Sequence, residues 1–253
     1  MTVAHAAPAG EARIAHVRGD FILCAADAER IAGVGVERWF DRDYWREAGR
    51  PLGEKTGRGA VVVLDHGAEQ WVLRHYKRGG LVSRFVEDHY VWTGLERTRS
   101  FREWRMLARL HALGLPVPRP IAARAARSGL LYQADIATAY LPGARPLSAI
   151  LNEGAADENV WGAVGRMIRA FHDRGIDHPD LTAHNILLGP AGEVFLVDFD
   201  NARRRPPGRW CGAGLARLQR SLRKVALETG GAFDPDGWRV LERAYGFEGS
   251  SVG

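Results

Sequence analysis

The sequence of 253 residues predicts an α+β protein of two lobes, in which a small antiparallel sheet with one main helix precedes a mainly helical lobe. Three observations indicate this fold class. Short apolar runs bounded by turn residues dominate the first half, one strongly amphipathic helix lies among them, and helical patterns dominate the second half. The chain is long enough for each lobe to bury its own core.

The first lobe contains a predicted hairpin that follows a glycine-rich segment. Phe21–Cys24 is the first strand-forming run, and residues 27–39 are expected to form a short helix. The segment Leu52–Gly59 then leads into the apolar strand Ala60–Leu64, and Trp71–Tyr76 follows as its partner in the hairpin.

The clearest helix of the first lobe is predicted over residues 100–113. Ser100 and Glu103 have the S-x-x-E spacing of a capping box, and a glycine ends the helix. Glu103 also lies on the apolar face of this helix, so we expect its side chain to point inward. Two strands, Leu130–Gln133 and Asp135–Tyr140, are expected to complete the lobe.

The turn Leu141–Gly143 contains a proline and a glycine and is the best candidate for a hinge between the lobes. We therefore expect a first lobe over residues 14–140 and a second lobe over residues 141–253. Residues 1–13 are rich in Ala, Gly and Pro, and we expect them to be disordered.

The second lobe begins with a helix that Asp157 can cap and that ends near Gly175. Ile186–Leu188 and Val194–Val197 are then expected to form a short hairpin around a Gly-Pro-Ala-Gly turn. A last helix is predicted over residues 215–229.

Three oxygen-bearing side chains are predicted to meet at this hairpin. Asp180 and Asn185 lie on the loop before it, in the pattern H-x-D-L-x-x-x-N, and Asp198 follows it in the pair D-F. Closing the hairpin brings Asn185 opposite Val197 or Asp198, so an amide and a carboxylate of the kind that bind Mg²⁺ converge. Phosphoryl transfer from ATP needs such a pair, together with one carboxylate that orients the attacking hydroxyl. Each residue alone fits an ordinary turn, but the combination is specific.

Arg74 lies on a strand where a kinase would carry the lysine of V-A-I-K. An ion pair with Glu103 would position this cation over nucleotide phosphates, although a planar guanidinium is not equivalent to an ammonium group. Lys77 is a second candidate for the phosphate contact, and an exposed edge-strand arginine is the plainer interpretation of Arg74. Gly57 and Gly59 precede the return strand and are candidates to cover phosphates with their backbone.

Histidines and cysteines do not predict a metal cluster. His172, His178 and His184 lack the ligand spacing of a zinc site, and we expect His178 to hold its loop in place. Cys24 and Cys211 are too few and too isolated for a disulfide framework, which fits a reducing compartment.

The formal net charge is +5, and only three of the 35 basic residues are lysines. Arginine excess of this kind can reflect codon usage, and the usual nucleic-acid-binding motifs are absent, so we predict no nucleic acid partner. No protein partner is predicted either. Arg217, Arg220 and Lys224 share one helix face, which is either a solvated surface or a contact for an anionic acceptor or lipid head groups.

Membrane contact, if present, is expected to be peripheral. No apolar run approaches the roughly 20 residues that span a bilayer, and the N-terminus lacks the pattern of a secretory signal. Residues 81–95 contain Phe85, Tyr90 and Trp92, which either face lipid or pack within the lobe. We expect packing.

On these residues the sequence resembles the lipopolysaccharide core kinases of the protein-kinase-like superfamily, and most closely the 3-deoxy-D-manno-octulosonic acid (Kdo) kinases. The resemblance covers most of the chain from about residue 40 to 225. Besides the two catalytic motifs, which end at Asp198–Asp200, three segments carry it: Leu73–Leu81, Thr98–Glu103 and Leu115–Ala122.

The resemblance implies a bilobal kinase that uses ATP and Mg²⁺ to phosphorylate the 4-hydroxyl of Kdo on a Kdo-lipid A precursor. This acceptor is anionic and membrane-embedded, which implies a peripheral enzyme at the cytoplasmic face of the inner membrane of Gram-negative bacteria. The resemblance makes Asp180 the base and Asn185 and Asp198 the magnesium ligands. It makes Arg74 and Glu103 the pair that orients the phosphates.

Two departures argue against a protein kinase. Asp200 replaces the glycine of D-F-G, and no A-P-E motif follows in the short segment before Trp210. Two other functions stay open. An aminoglycoside-type small-molecule kinase would share the three residues, although its polycationic acceptors favour an acidic pocket. A nucleotide-binding pseudokinase scaffold would be compatible with Arg74 and Asp200.

Overall fold

The computed structural model of the chain describes residues 12–28, 33–48, 51–55, 61–65, 69–77 and 88–246. The chain divides into two compact units. The first contains the residues up to Leu113 together with Pro118–Tyr140, and the second contains Gly114–Val117 and the residues from Leu141 onward.

The first unit is built on an antiparallel sheet, to which the described residues contribute eight strands. Their bounds are β1 Arg13–Val17, β2 Asp20–Cys24, β3 Pro51–Lys55, β4 Val61–Asp65, β5 Gln70–His75, β6 Tyr90–Val91, β7 Pro120–Ser128 and β8 Leu131–Ala139. They lie in the order β1-β2-β7-β8-β5-β4-β3, and the short β6 pairs with the start of β8. The hairpin of β4 and β5 is the one that the sequence predicted.

The described residues of this unit include two α-helices, α1 Arg42–Glu47 and α2 Arg99–Ala112. The helix α2 packs on β7 and β8. Apolar side chains from the segment before β3 cover other parts of the sheet, and Trp39 packs edge-on against Trp71 on β5, with 5.6 Å between ring centroids. Burial of large aromatic side chains of this kind contributes favourably to the stability of the unit.

The predicted capping box at the start of α2 is wrong. The helix begins at Arg99 with Thr98 as its N-cap, and the Thr98 hydroxyl donates to the carbonyl of Leu95 at 2.7 Å. The Ser100 hydroxyl donates instead to the carbonyl of Arg124 on β7 at 2.8 Å, because Ser100 lies on the buried side of the helix. Glu103 is buried as predicted, but for a reason other than capping.

Other expectations for the first unit need smaller corrections. Arg13, which we assigned to a disordered N-terminus, is the first residue of β1. The two strands expected near residues 130–140 are one strand, β8, and the described end of the helix expected over 27–39 is a 3₁₀ turn at Val36–Arg38. Residues 1–11, Gly57, Gly59 and Phe85 lie outside the described residues.

Tyr90 and Trp92 pack within the unit, as expected. The Tyr90 ring lies 5.5 Å from the ring of Tyr132, and Trp92 lies 5.8 Å from Phe21. Tyr90 is buried, whereas Trp92 is half-buried.

The second unit is mainly helical. Its elements are β9 Arg145–Pro146, α3 Leu147–Asn152, α4 Glu158–Asp173, β10 Ile176–Asp177, β11 Ile186–Leu188, β12 Val194–Leu196, β13 Arg203–Arg204, α5 Arg209–Glu228 and α6 Pro235–Tyr245. Asp157 caps α4 as predicted, since its carboxylate accepts from the backbone N–H of Val160 at 2.9 Å. The last predicted helix begins earlier than expected, and α6 was not predicted. Across the described ranges, no helix has the length and apolar character that crossing a membrane requires.

Candidate active site

The hairpin predicted to carry the site is present in the second unit. The strands β11 and β12 pair antiparallel, with Ile186 opposite Leu196. Beyond this pair, the backbone N–H of Val197 donates to the carbonyl of Asn185 at 3.0 Å. Asn185 therefore lies opposite Val197, next to Asp198, which confirms the predicted register.

Asn185 also closes the loop that carries Asp180. Its side-chain nitrogen donates to the backbone carbonyl of Asp180 at 2.8 Å. Because the amide nitrogen makes this bond, the amide oxygen is the atom that can bind a cation. Asp180 is exposed, whereas Asn185 and Asp198 are half-buried. The loop thus offers one accessible carboxylate, that of Asp180. The end of the hairpin that follows offers two oxygen ligands, from Asn185 and Asp198.

The backbone at Asp198 has an uncommon conformation. Among the described non-glycine residues, only Arg18 and Asp198 have positive φ, and the φ of Asp198 is 69°. Aspartate tolerates this left-handed region better than most residues, but such angles persist where the surroundings impose them and are often found at functional sites.

His178 supplies part of those surroundings. Its Nε2 atom lies 3.1 Å from the carbonyl oxygen of Val197, and its ring packs edge-on against Phe199 at 4.9 Å between centroids. Phe199 in turn stacks on Phe171 of α4 at 5.8 Å. His178 therefore contacts the residues on both sides of Asp198, Val197 and Phe199, and so fixes their positions. The expected structural role of His178 is confirmed.

The other two histidines also have separate partners. His172 Nδ1 lies 2.8 Å from the Tyr245 hydroxyl, and His184 Nδ1 lies 2.9 Å from the Ser148 hydroxyl. Burial lowers the pKa of His172 to about 4. Within the part of the chain that the structure describes, no three His, Cys, Asp or Glu side chains are grouped to hold a metal ion. A histidine metal cluster is therefore not formed there.

Two serines that the sequence analysis missed support the loop. The backbone N–H of Ala183 donates to the Ser221 hydroxyl of α5 at 3.1 Å. The backbone N–H of Ser148 in α3 donates to the carbonyl of Ala183 at 3.1 Å, and its hydroxyl contacts His184. These serines lie 36 and 38 positions from the loop residues that their hydroxyls contact, so no local spacing could have revealed them.

In the first unit, Arg74 of β5 and Glu103 of α2 form the predicted ion pair. The Glu103 side chain is only 3% exposed, and that of Arg74 is 25% exposed. The buried Tyr76 hydroxyl donates to the same carboxylate oxygen that Arg74 contacts. The Arg74 guanidinium carbon also lies 4.8 Å from the centroid of the Tyr76 ring, a cation–π distance.

Tyr76 is a residue that the sequence analysis missed, although a signal exists. Residues two apart on a strand point to the same face, so the spacing of Arg74 and Tyr76 predicts that their side chains are neighbours. Arg99 joins them, with its guanidinium 5.6 Å from the Tyr76 ring centroid and 4.9 Å from that of Tyr90. This group of four side chains contains two cations, Arg74 and Arg99, and one carboxylate, Glu103. Its net positive charge favours an anionic ligand.

His75 lies on the other face of β5 in a charged network. Its Nδ1 atom is 2.7 Å from Asp135, and its Nε2 atom is 3.3 Å from Asp88. The hydrogen bond to Asp135 raises the pKa of His75. Burial alone would raise the pKa of Asp135, but bonds from His75 and Arg124 hold it below its ordinary value. This network fixes the strand that carries Arg74.

The three remaining candidates for phosphate contact are less informative. Lys77 is exposed, and Gly57 and Gly59 lie outside the described residues. The role of all three in binding a nucleotide stays a prediction.

Comparison with known proteins identifies the family of this arrangement. A model of the lipopolysaccharide kinase (Kdo/WaaP) family matches residues 42–245. The chain belongs to this family. Family membership makes the protein a kinase, a phosphotransferase that acts on a hydroxyl group, and confirms the predicted α+β, protein-kinase-like fold class.

Several relatives of this chain have the name 3-deoxy-D-manno-octulosonic acid kinase. That of Vibrio parahaemolyticus serotype O3:K6 is 41% identical over 189 residues, which are 75% of this chain and 79% of the relative. That of Actinobacillus succinogenes is 40% identical over 215 residues, 82% of this chain and 90% of the relative. That of Xylella fastidiosa is 44% identical over 186 residues, 73% of this chain and 74% of the relative.

Proposed function

We propose that this kinase transfers the γ-phosphoryl group of ATP to the 4-hydroxyl of Kdo on a Kdo-lipid A precursor, during assembly of the lipopolysaccharide core. The observation that carries the proposal is the hairpin end at which Asn185 lies opposite Val197, the residue before Asp198, and bonds the backbone of Asp180. It occurs in a chain about 40% identical to relatives named as kinases of this sugar, such as the one from Vibrio cholerae.

The residues at this hairpin end fit a magnesium ion. Mg²⁺ takes oxygen ligands and usually keeps several waters, so one carboxylate and one amide oxygen form an adequate protein contribution. Asp198 and Asn185 would hold the ion. When bound, it neutralises charge on the phosphates of ATP.

The chain's own residues divide the remaining work. The exposed Asp180 carboxylate accepts the proton of the sugar hydroxyl, whose oxygen forms a bond to the γ-phosphorus as the bond to the oxygen of ADP breaks. Asn185 holds the backbone of Asp180 through its amide nitrogen. Arg74, oriented by Glu103 and Tyr76, binds nucleotide phosphate.

We also place the enzyme peripherally at the cytoplasmic face of the inner membrane, because the lipid portion of the proposed acceptor is anchored there. Arg217 is half-buried on α5, whereas Arg220 and Lys224 are exposed along the same helix. A basic face of this kind favours anionic lipid head groups or an anionic acceptor, and disfavours the polycations that an aminoglycoside-type kinase binds.

The deciding experiment offers the protein ATP, Mg²⁺ and a Kdo-lipid A precursor in detergent, and in parallel an aminoglycoside. We expect mass spectrometry to find one added phosphate on the lipid alone, and fragmentation to locate it on the 4-hydroxyl of Kdo. Phosphate on the aminoglycoside alone would overturn the proposed acceptor. ATP binding without transfer to any acceptor would favour the pseudokinase scaffold instead.

A further inference from the structure

Exposed apolar side chains concentrate at one end of the first unit's sheet. Among the described residues, six large apolar side chains are exposed, and three of them lie around the turn between β7 and β8. Leu130 is 79% exposed, Val91 60% and Leu131 37%. We call these three residues the apolar tip.

The apolar tip is held in place by backbone pairing. Val91 of β6 lies directly opposite Leu131 of β8, so their side chains are on the same face of the sheet. The backbone N–H of Trp92 donates to the carbonyl of Leu130 at 2.9 Å. Gly129 closes the turn with φ of +59°, a conformation that glycine adopts without strain. The exposure of the tip is therefore built into the hairpin.

An aromatic ring and a cation border the tip. The Arg127 guanidinium lies 4.8 Å from the Trp92 ring centroid, and Arg127 donates to the carbonyl of Gly129 at 3.0 Å. Residues 127–132 and 90–93 contain no carboxylate. Aliphatic side chains beside a tryptophan and an arginine are typical of membrane interfaces. Aliphatic groups favour the acyl chains, the indole ring favours the interface, and the guanidinium stays in the head-group layer.

We propose that the apolar tip inserts into the head-group layer of an anionic lipid bilayer. Leu130, Leu131 and Val91 enter the acyl boundary and Arg127 meets lipid phosphate, while the half-buried Trp92 stays packed in the sheet and only its exposed part faces the head groups. The proposal deepens the proposed function and rests on it for the presence of a membrane, since the proposed acceptor is a membrane lipid.

Size favours lipid over a protein partner. A stable protein interface buries about 800 Å² on each side, which needs some twenty or more residues. Three aliphatic side chains on a hairpin turn offer far less area, but they suffice for shallow insertion when electrostatic attraction adds to it.

Flotation of the full chain with vesicles tests the proposal. The vesicles contain phosphatidylcholine with or without phosphatidylglycerol, and no Kdo lipid. We expect the wild type to bind the anionic vesicles, Leu130→Glu to lower this affinity at least tenfold, and Arg127→Gln to weaken the salt dependence of binding. The control is Leu113→Glu, because Leu113 follows the end of α2, is also exposed (48%) and is not part of the tip, and we expect it to change affinity less than twofold.

Absence of wild-type binding to anionic vesicles would overturn the proposal, as would equal binding by Leu130→Glu. A loss with Leu113→Glu alone would place the contact away from the apolar tip and overturn it as well. Because the vesicles contain no acceptor, these outcomes do not depend on whether Kdo is phosphorylated. A second readout separates folding from docking. Leu130→Glu should keep its kcat on detergent-dispersed acceptor and lose kcat/KM only on vesicle-embedded acceptor.

Discussion

The two units hold their functional side chains by different means. In the second unit, the loop of Asp180 and Asn185 is held largely through backbone groups, such as the bonds of Val197 to Asn185 and of Ala183 to Ser221. In the first unit, Arg74 is held by the side chains of Tyr76 and Glu103. A side chain held through its backbone can be replaced without moving its neighbours, whereas side chains that hold each other are coupled.

The largest effect is expected in the second unit, where the functional side chains are held through the backbone. Replacing Asp180 by Asn removes the proton acceptor, so we expect kcat to fall about 10²- to 10⁴-fold while ATP affinity changes less than twofold. Steady-state kinetics and equilibrium ATP binding measure the two quantities. Asp173→Asn, at another exposed aspartate, is the control and should keep full activity. Turnover near the wild-type rate in Asp180→Asn would show that the base has been misassigned.

Asp198 should behave differently, although it lies at the same hairpin end. We expect Asp198→Asn to lower turnover about as strongly and also to remove most of the gain in ATP affinity that Mg²⁺ provides, because Asp198 would hold the ion that neutralises the phosphates. ATP titrations with and without Mg²⁺ measure this gain. A variant whose ATP affinity still rises normally with Mg²⁺ would exclude Asp198 as a metal ligand.

Two histidines extend the comparison to stability. His172 of the second unit is buried with a pKa of about 4, below its ordinary 6.5. Between these two pH values the unfolded chain binds a proton at His172 and the folded chain does not. The free energy of unfolding therefore falls as pH drops from about 6.5 to about 4, by on the order of 3 kcal/mol at most. His75 has a raised pKa, so its contribution is present below pH 6.5 and is lost as pH rises through the folded-state value.

Urea unfolding between pH 4.5 and 8.5 can separate the two histidines. We expect His172→Gln to flatten the acid side of the stability profile and His75→Gln to flatten the neutral to alkaline side. Parallel profiles for wild type and His172→Gln between pH 4.5 and 6.5 would contradict the expected titration of His172.

The smallest effect is expected in the first unit, where the side chains of Arg74, Tyr76 and Glu103 hold one another. Tyr76→Phe keeps the ring under Arg74 but removes the hydroxyl that bonds Glu103, so we expect kcat/KM for ATP to fall about 3- to 30-fold. In an Arg74→Ala background the same change should cost less than twofold, because the group that Tyr76 orients is gone. An equal loss in both backgrounds would mean that Tyr76 serves only the packing of the unit, and thermal unfolding of all four proteins provides the control.

Local features of the site could be predicted from the sequence, and long-range ones could not. The register of the hairpin at Asn185 follows from turn residues a few positions away, and the cap at Asp157 from its neighbours. The predicted capping box at Ser100 was wrong because the Ser100 hydroxyl donates to Arg124, on a strand more than twenty residues later in the chain. Ser221 and Tyr76 became visible only with tertiary structure, although the strand spacing of Tyr76 to Arg74 was a usable signal.

The side chain of Asp200, the residue after Phe199, is buried. A glycine at this place would let the backbone turn freely, whereas a larger residue with an enclosed side chain restricts it. We therefore expect this segment to lack separate resting and working forms. An enzyme without such a switch is active whenever its substrates are bound. The supply of acceptor lipid, rather than regulation of the enzyme, would then set the rate of phosphorylation.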